Sequence, residues 1–473
     1  MYNSWWKKEG VSVSVRSRGR LEITTGPLLW NIVRFAVPII LSGLLQMLFN
    51  MVDAAVVGRF GSPTALASVG STASLTHLLV NLFLGLSVGA GVTVAQAIGA
   101  EDRDGVRRAV RTSATLSLIC GAAVAAVGAV FSATFLRWMG SPSEILDGAA
   151  TYMRIYFLGM PAIMLFNFGS SILRSMGDTK RPLYFLLCAG AVNAVLNLLL
   201  VIVFRMDVAG VALSTVLSQC GAAALVTLCL MRLPHDVRLS RQNVGIDRKS
   251  FWKIVRIGVP AGLQSCLFSF SNVVIQSSVN ALGAAAVSAN AAVTTLDNFV
   301  YVAMNGVSQS TNTFSGQNYG ARQMQRVRRT ALDAVLVTVI VGCALGLSEA
   351  LFGEKLLRLF TTDPAVIAAG MQRLEITATT YYWCGVMEAL SGVLRGTGRS
   401  ILPMGVTLLG VCGLRIAWVY AVFPVLPCLG TLYWSYPFSW ILTTAVLFGM
   451  LLAVFAKERR KEHVDPDLSG VRT

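Results

Sequence analysis

The chain contains one sequence twice, and this duplication constrains its fold more than any other feature. IVRFAVP at residues 32–38 recurs as IVRIGVP at 254–260, which is 222 positions later. AIGAEDRDGVRR at 97–108 recurs as NYGARQMQRVRR at 318–329, at nearly the same offset. A constant offset between several matched segments indicates a duplicated structural unit of about 220 residues.

The composition places both copies in a membrane. Hydrophobic residues make up 55% of the chain and charged residues only 13%, against about 25% charged residues in a typical soluble domain. Apolar segments recur that are long enough to cross about 30 Å of hydrocarbon as α-helices. We therefore predict an all-α membrane protein with twelve transmembrane helices in two six-helix lobes, related by a parallel internal repeat as in secondary transporters.

This prediction divides the chain into five segments. They are a cytoplasmic N-terminal tail at 1–28, an N-lobe with spans 1–6 at 29–231, a cytoplasmic linker at 232–253, a C-lobe with spans 7–12 at 254–456, and a cytoplasmic C-terminal tail at 457–473.

The basic residues predict the orientation in the membrane. With a cytoplasmic N-terminus, thirty of the 39 Lys and Arg residues fall on the cytoplasmic side and seven on the other. This asymmetry follows the positive-inside rule, so we predict a multi-pass protein of the inner (plasma) membrane with both termini in the cytoplasm. The net charge of +16 then reflects topology and contact with anionic membrane lipids, and we expect no nucleic-acid partner.

Enzyme and metal motifs are missing from the sequence. There is no P-loop, no G-x-S-x-G and no H-E-x-x-H, and the nine cysteines include no C-x-x-C pair. The sequence therefore lacks the usual signatures of ATP hydrolysis, hydrolase chemistry and zinc binding. We therefore predict a protein that is not an enzyme and holds no metal or other cofactor.

Polar residues inside the first and fifth spans are the candidates for ion binding. Gln46, Asn50 and Asp53 follow at spacings of four and three, which places them on one helical face. Asn193 and Asn197 are also four apart and reach a comparable depth. Two interpretations are open: Asp53 is a helix-end residue and the asparagines join helices, or the three side chains form a cation- or proton-coupling site.

Neighbouring residues in the spans could provide the remaining parts of a transport pathway. Pro38 lies in span 1 ahead of Asp53 and should bend the helix. Methionine and aromatic side chains supply adaptable apolar surface for varied ligands, although they also simply fill cores. The candidate cavity-lining residues are Gln46, Asn50, Phe49, Met47 and Met304.

The second half carries its intramembrane charges at other positions. Asp297 and Arg415 lie near the middle of their spans, and a buried acid beside a buried base is the least costly arrangement for both charges. We predict an Asp297–Arg415 pair, either a static structural pair or part of a gate. Glu388 lies nearer the cytoplasmic end of its span and is either a boundary residue or a functional one.

Several segments resemble one family of transporters. LLQMLFNMVDAAVVGRFG at 44–61, FSGQNYGAR at 314–322 and VLRGTGRSILP at 393–403 are similar to the MATE (multidrug and toxic compound extrusion) family, and the resemblance covers roughly 27–456. It implies two six-helix lobes and outward exchange of cationic or amphipathic organic compounds against inward H⁺ or Na⁺. The family's cation site falls on Asp53 and Asn193.

Within that family the chain is more similar to the DinF-type branch than to the NorM-type branch. Phe268 and Cys384 occupy the positions where NorM-type members carry a glutamate and an aspartate. Asn197 stands where several DinF-type members have an aspartate, so the resemblance leaves the coupling ion, H⁺ or Na⁺, open.

The sequence thus favours a secondary active multidrug efflux antiporter that works by alternating access. Its partners are small organic substrates and membrane lipids, and two lobes in one chain suggest that a monomer is functional. The alternative is a lipid-linked saccharide flippase of related two-lobe architecture. A flippase would need several cationic residues to hold a pyrophosphate, and only Arg415 and Arg34 are available within the spans.

Overall fold

The computed structural model describes residues 21–233 and 245–464. Residues 1–20, 234–244 and 465–473, which belong to the predicted tails and linker, lie outside this range. Every regular element in the described range is helical. This agrees with the all-α prediction.

The described chain forms two compact units, which comprise residues 21–22 with 41–259, and 23–40 with 260–464. Two helices change unit along their length: α1, Leu28–Phe60, and α8, Arg248–Asn280. Each contains a proline within about one turn of the change, Pro38 in α1 and Pro260 in α8. Proline removes a backbone hydrogen bond from the helix interior, so the helix is weakest near these points.

This division differs from the predicted lobes because residues 29–40 belong to the second unit and 254–259 to the first. The helix α1 is continuous through Pro38. The bend expected there stays a prediction.

The first unit contains residues 41–60 of α1, residues 248–259 of α8 and six further α-helices. It also has a π-helical segment at Leu198–Val203. The six helices are α2 Ala65–Gly99, α3 Arg103–Trp138, α4 Ser143–Leu158, α5 Met160–Ser175, α6 Lys180–Asn197 and α7 Asp207–Met231. The helices α4 and α5 meet at a bend of 47°, and the pair together is long and apolar enough to cross a membrane.

Glycines on α3 allow this bent span to pack closely. A Cβ atom at Gly121 would lie 2.5 Å from the Cα of Pro161, and one at Gly128 would lie 2.2 Å from the ring of Phe157. Small residues at such positions let helix backbones approach within a membrane.

The second unit contains residues 28–40 of α1, residues 260–280 of α8 and six further α-helices. It also has a π-helical segment at Leu408–Gly413. The six helices are α9 Ala284–Gly320, α10 Met324–Leu357, α11 Pro364–Gly396, α12 Ile401–Thr407, α13 Leu414–Ala421 and α14 Leu429–Val464. The helices α12 and α13 and the π segment between them form a single span.

The helices account for the twelve predicted spans. Among the described residues, nine helical segments are long and apolar enough to cross a membrane, or ten with the bent α4–α5 pair. The remaining two spans are α9 and α11, of 37 and 33 residues. These two helices bury many polar side chains inside the second unit, which lowers their hydropathy without exposing those groups to lipid.

The end of the predicted N-terminal tail packs on the second unit. Ile23 is buried, and the guanidinium of Arg326 donates hydrogen bonds to the carbonyls of Ile23, Thr25 and Gly26. Residues 23–26 of the predicted tail are therefore held by a fixed cationic partner, and the cytoplasmic location of the tail stays a prediction.

Asp247 begins α8. Its carboxylate accepts hydrogen bonds from the backbone N–H and the hydroxyl of Ser250, both at 2.8 Å. Its own N–H donates to the hydroxyl of Thr112 at 3.0 Å, which attaches the start of α8 to α3. The Ser250 hydrogen bonds, with the nearby Arg108 and Arg111, lower the pKa of Asp247 below its ordinary value of 3.8.

We expect Asp247→Ala to destabilise the protein by about 0.5–1 kcal/mol at neutral pH, the lower part of the range for loss of a helix cap. A lowered pKa in the folded state stabilises folding above the unfolded-state pKa, and the gain disappears as pH falls through the folded-state pKa. The difference in thermal midpoint from wild type should therefore be present at neutral pH and shrink in acid. Asp247→Asn, which keeps an acceptor oxygen, should lose less, and equal midpoints for all three proteins at neutral pH would contradict the capping role.

Candidate functional site

A hydrogen-bonded cluster surrounds Asp53 in the first unit. The amide of Asn197 donates to Oδ1 of Asp53, and the hydroxyl of Thr215 donates to Oδ2 at 3.2 Å. The same Asn197 amide donates to Oδ1 of Asn193 at 3.3 Å, and the hydroxyl of Ser214 donates to Oδ1 of Asn197. The structure therefore brings together Asp53, Asn193 and Asn197, which the sequence named as one candidate site.

Close packing of α1 on α6 places these groups. A Cβ atom at Gly190 would lie 1.6 Å from the ring of Phe49, so only glycine lets this ring sit against α6. Asp53 follows Phe49 by one turn, and Asn193 and Asn197 follow Gly190 by one and two turns. The α-helical pattern changes to a π segment directly after Asn197, and such segments are frequent at functional sites.

Four residues in or next to this cluster were not predicted from the sequence. Ser214 and Thr215 also bond to the carbonyls of their own helix, Gly210 and Val211, which is the ordinary behaviour of these residues in an apolar helix. The sequence therefore gives little indication that Ser214 and Thr215 belong to the cluster. Tyr152 and Tyr156, with rings stacked at 6.0 Å, are close enough to interact electrostatically with Asp53.

The charge of Asp53 is held by neutral groups. Within the described residues, no Lys or Arg forms an ion pair with Asp53; its carboxylate oxygens accept from an amide and a hydroxyl. Asn197 is fully buried and Asn193 nearly so. An acid in this setting can be neutralised by a cation or by a proton.

The predicted cavity-lining residues have different fates. Gln46 and Asn50 are exposed and Met47 is half-buried. Phe49 is half-buried against Gly190. Met304 is fully buried in the second unit, with its sulfur in the space that a Cβ at Gly385 would occupy. The prediction that Met304 lines a cavity is therefore wrong for this structure, because its side chain fills the core.

The predicted pair of Asp297 with Arg415 is also wrong. Asp297 on α9 forms an ion pair with Arg373 on α11, with Nη2 and Oδ2 2.5 Å apart. Asn290 and Thr294, both on α9, accept further hydrogen bonds from the guanidinium. Arg415 was predicted as the partner of Asp297 because both lie near the middle of their spans. The actual partner is Arg373, because α9, which carries Asp297, packs along α11, which carries Arg373.

Arg415 is fully buried among aromatic rings and neutral acceptors. Its guanidinium carbon lies 4.2 Å from the ring centre of Tyr436, with Phe268 and Trp440 also within cation–π range. It donates to Ser271, Asn272 and Ser439. No carboxylate of the described residues pairs with it, so rings and dipoles stabilise its charge.

Glu388 is buried and forms an ion pair with Arg395, one of the arginines counted on the cytoplasmic side, at 3.0 Å. Ser308 joins them, since it accepts from Arg395 and donates to the carbonyl of Glu388. Glu388 is thus part of an interior ion pair within α11 that Ser308 of α9 joins, and not a solvent-exposed boundary residue.

We expect Arg373→Met to destabilise the second unit by about 3–5 kcal/mol, because it leaves Asp297 as a buried charge without its partner. The double variant Arg373→Met with Asp297→Asn should recover most of that loss. Thermal unfolding of the purified proteins in one detergent measures both. An equal loss in the single and double variants would show that the pair is not coupled.

Two segments of the chain, 38–199 and 260–421, match the family model MatE. The chain belongs to the MATE family. The two matched segments are offset by 222 residues, the same offset as the sequence repeat. The match confirms the predicted family, whose members are transporters and not enzymes.

Curated relatives extend over almost the whole chain. The chain is 27% identical over 444 residues to the probable multidrug resistance protein YoeA of Bacillus subtilis strain 168, covering 92% of this chain and 96% of that protein. It is 30% identical over 398 residues to the probable multidrug resistance protein YpnP of the same strain, covering 83% and 88%.

The fold matches solved structures of the family. An outward-facing multidrug resistance MATE family transporter of the MOP superfamily superimposes with a TM-score of 0.87 at 22% identity, covering 94% of this chain and 99% of that chain. At this level of identity the match establishes the fold, which is the predicted twelve-helix arrangement.

Proposed function

We propose that this MATE protein is a secondary active multidrug efflux transporter that exports cationic and amphipathic organic compounds by alternating access. The multidrug resistance designations of YoeA and YpnP support this substrate class. The cluster around the half-buried Asp53 carries the proposal, because an acid held only by neutral dipoles within a membrane is a group that can bind and release a cation. The flippase alternative is not favoured, since the guanidinium of Arg415 is enclosed by rings.

We propose H⁺ as the coupling ion. A Na⁺ site would need several oxygens free to point at the ion. Here each of the four candidate oxygens, two on Asp53 and one each on Asn193 and Asn197, already accepts one hydrogen bond, so a Na⁺ ion would have to share them with these donors. A proton needs only one oxygen, and it removes the whole charge of Asp53.

The proton can bind to one of the two carboxylate oxygens of Asp53. Thr215 donates to Oδ2 of Asp53, and its hydroxyl also lies 3.0 Å from the carbonyl of Val211. The hydroxyl hydrogen can turn to that carbonyl, and Thr215 then accepts from a protonated Oδ2. The amide N–H of Asn197 cannot reverse its direction in this way, so we assign the proton to Oδ2.

Protonation then weakens the contact between α1 and its neighbours. A hydrogen bond to a charged acceptor is roughly twice as strong as one to a neutral acceptor, so neutral Asp53 holds Asn197 and Thr215 less firmly. Loosening α1 from α6 and α7 in the outward-open state would release the substrate. Loss of the proton to the cytoplasm would restore the cluster.

Exposed polar groups on α1 supply a contact surface for substrates. Gln46 and Asn50 precede Asp53 on the same helical face and are exposed. Half-buried Met47 adds adaptable apolar surface. We propose that these residues contact the organic compound.

We further propose membership of the DinF-type branch, an inner (plasma) membrane location with both termini in the cytoplasm, and function as a monomer in contact with membrane lipids. Phe268 and Cys384 support the branch, because they are uncharged where NorM-type members carry acids. The excess of Lys and Arg in the segments 97–111, 322–329 and 457–473 supports the orientation.

Efflux from proteoliposomes tests the proposal, with ethidium as a fluorescent organic cation and with a pH gradient and a Na⁺ gradient imposed separately. We expect wild type to respond to the pH gradient alone and Asp53→Asn to fall to the level of protein-free vesicles while still binding ethidium. Asp147→Asn is the matched control, because Asp147 is exposed on α4. Normal exchange by Asp53→Asn would rule out the site, and a response to Na⁺ alone would rule out the proton.

A further inference from the structure

The second unit contains a further buried acid, Glu349, that forms no ion pair within the described residues. Glu349 on α10 is 7% exposed, and Asp297 on α9 is equally buried. Glu349 interacts electrostatically with both Asp297 and Arg373. Three ionisable groups from α9, α10 and α11 are thus gathered in one buried place.

The packing of α10 on α11 directs Glu349 towards this place. A Cβ atom at Gly346 would lie 2.1 Å from the carbonyl oxygen of Ala378, and one at Gly353 would lie 2.8 Å from the side chain of Leu374. Gly346 and Gly353 therefore mark the face of α10 that meets α11. Glu349 is one turn from each, on that same face.

The charges in this group do not balance. Arg373 donates to Oδ2 of Asp297, while Oδ1 of Asp297 and Oε2 of Glu349 are buried and have no hydrogen-bond partner among the described residues. Two carboxyl groups therefore share one guanidinium. A buried carboxylate that lacks a partner takes up a proton and becomes neutral.

No further base among the described residues supplies the missing charge. The other titratable groups near the two acids are the phenols of Tyr381 on α11 and of Tyr433 and Tyr436 on α14, and the thiol of Cys384 on α11. Tyr381 interacts with both acids and Cys384 with Asp297, and none of these groups is a base. Arg373 lies 5.5 Å and 5.8 Å from the ring centres of Tyr433 and Tyr436. These rings stabilise the guanidinium and leave Glu349 as the group to be neutralised.

We propose that Glu349 is a second proton-binding site, with Asp297 and Arg373 as its fixed charge partners, and that its proton exchanges during transport. Only an O–H bond forms and breaks, and the proton passes between the carboxylate and water. Exchange during transport rests on the proposed function; binding of the proton at Glu349 does not.

Infrared spectroscopy of the purified protein tests the binding directly. We expect wild type at neutral pH to show the carbonyl stretch of a protonated carboxylic acid, and Glu349→Gln to lose intensity from this band. Glu375→Gln is the matched control, because Glu375 is exposed on α11 two residues from Arg373. An unchanged band in Glu349→Gln would overturn the assignment.

A second variant removes the charge imbalance and leaves Glu349 in place. In Asp297→Asn, Glu349 faces Arg373 alone, and it should ionise and lose the same part of the band at neutral pH. This measurement decides the matter if Glu349→Gln does not fold, and a band that persists in Asp297→Asn would refute the shared-charge argument.

The two proton sites can be tested independently. The band assigned to Glu349 should survive in Asp53→Asn, whatever that variant does to efflux. If Asp53→Asn exports normally, the proposed function fails while the Glu349 assignment stands on its spectrum. If Glu349→Gln exports with an unchanged pH dependence, exchange at Glu349 is excluded.

Discussion

The cost of burying a charge inside a membrane governs the interior of this protein. Even on the lowest scales a single charge at mid-membrane costs about 2.5–3.5 kcal/mol, so each must be offset locally. Asp297 and Glu388 are offset by Arg373 and Arg395. Asp53 is offset by an amide and a hydroxyl. Neutral dipoles stabilise a charge less than an opposite charge does. Of these three acids, Asp53 is therefore the one best able to change its charge during a transport cycle.

The duplication provides two copies of one framework with opposite charges. At an offset of 222, the counterparts of Asp53 and Asn193 are Ile275 and Arg415. The first copy thus holds a lone acid among amides and hydroxyls, and the second a lone base among aromatic rings. The family model matches both copies over the same length, so the backbone plan is shared while the chemistry differs. The ion exchange proposed for the Asp53 position is consequently confined to the first copy.

The sequence predicted what depends on spacing within one helix. The repeat and the spans follow from the offset and from hydrophobic runs, which need no knowledge of neighbouring helices. The meeting of Asp53 with Asn193 and Asn197 was expected from their comparable depth and from the resemblance to the MATE family. The partner of Asp297 could not be found in this way, because choosing between Arg373 and Arg415 requires knowing that α9 packs along α11. Ser214 and Thr215 were missed for a related reason. Hydroxyl residues that bond to their own helix look alike whether or not they also reach another helix.

The most direct test of the account is whether substrate binding displaces a proton from Asp53. Purified protein in weakly buffered detergent solution would receive ethidium, and a pH-sensitive dye would record proton release. We expect proton release from wild type that is insensitive to Na⁺ and is reduced in Asp53→Asn but not in Asp147→Asn. Equal release from wild type and Asp53→Asn, or binding without release, would contradict the central role given to Asp53.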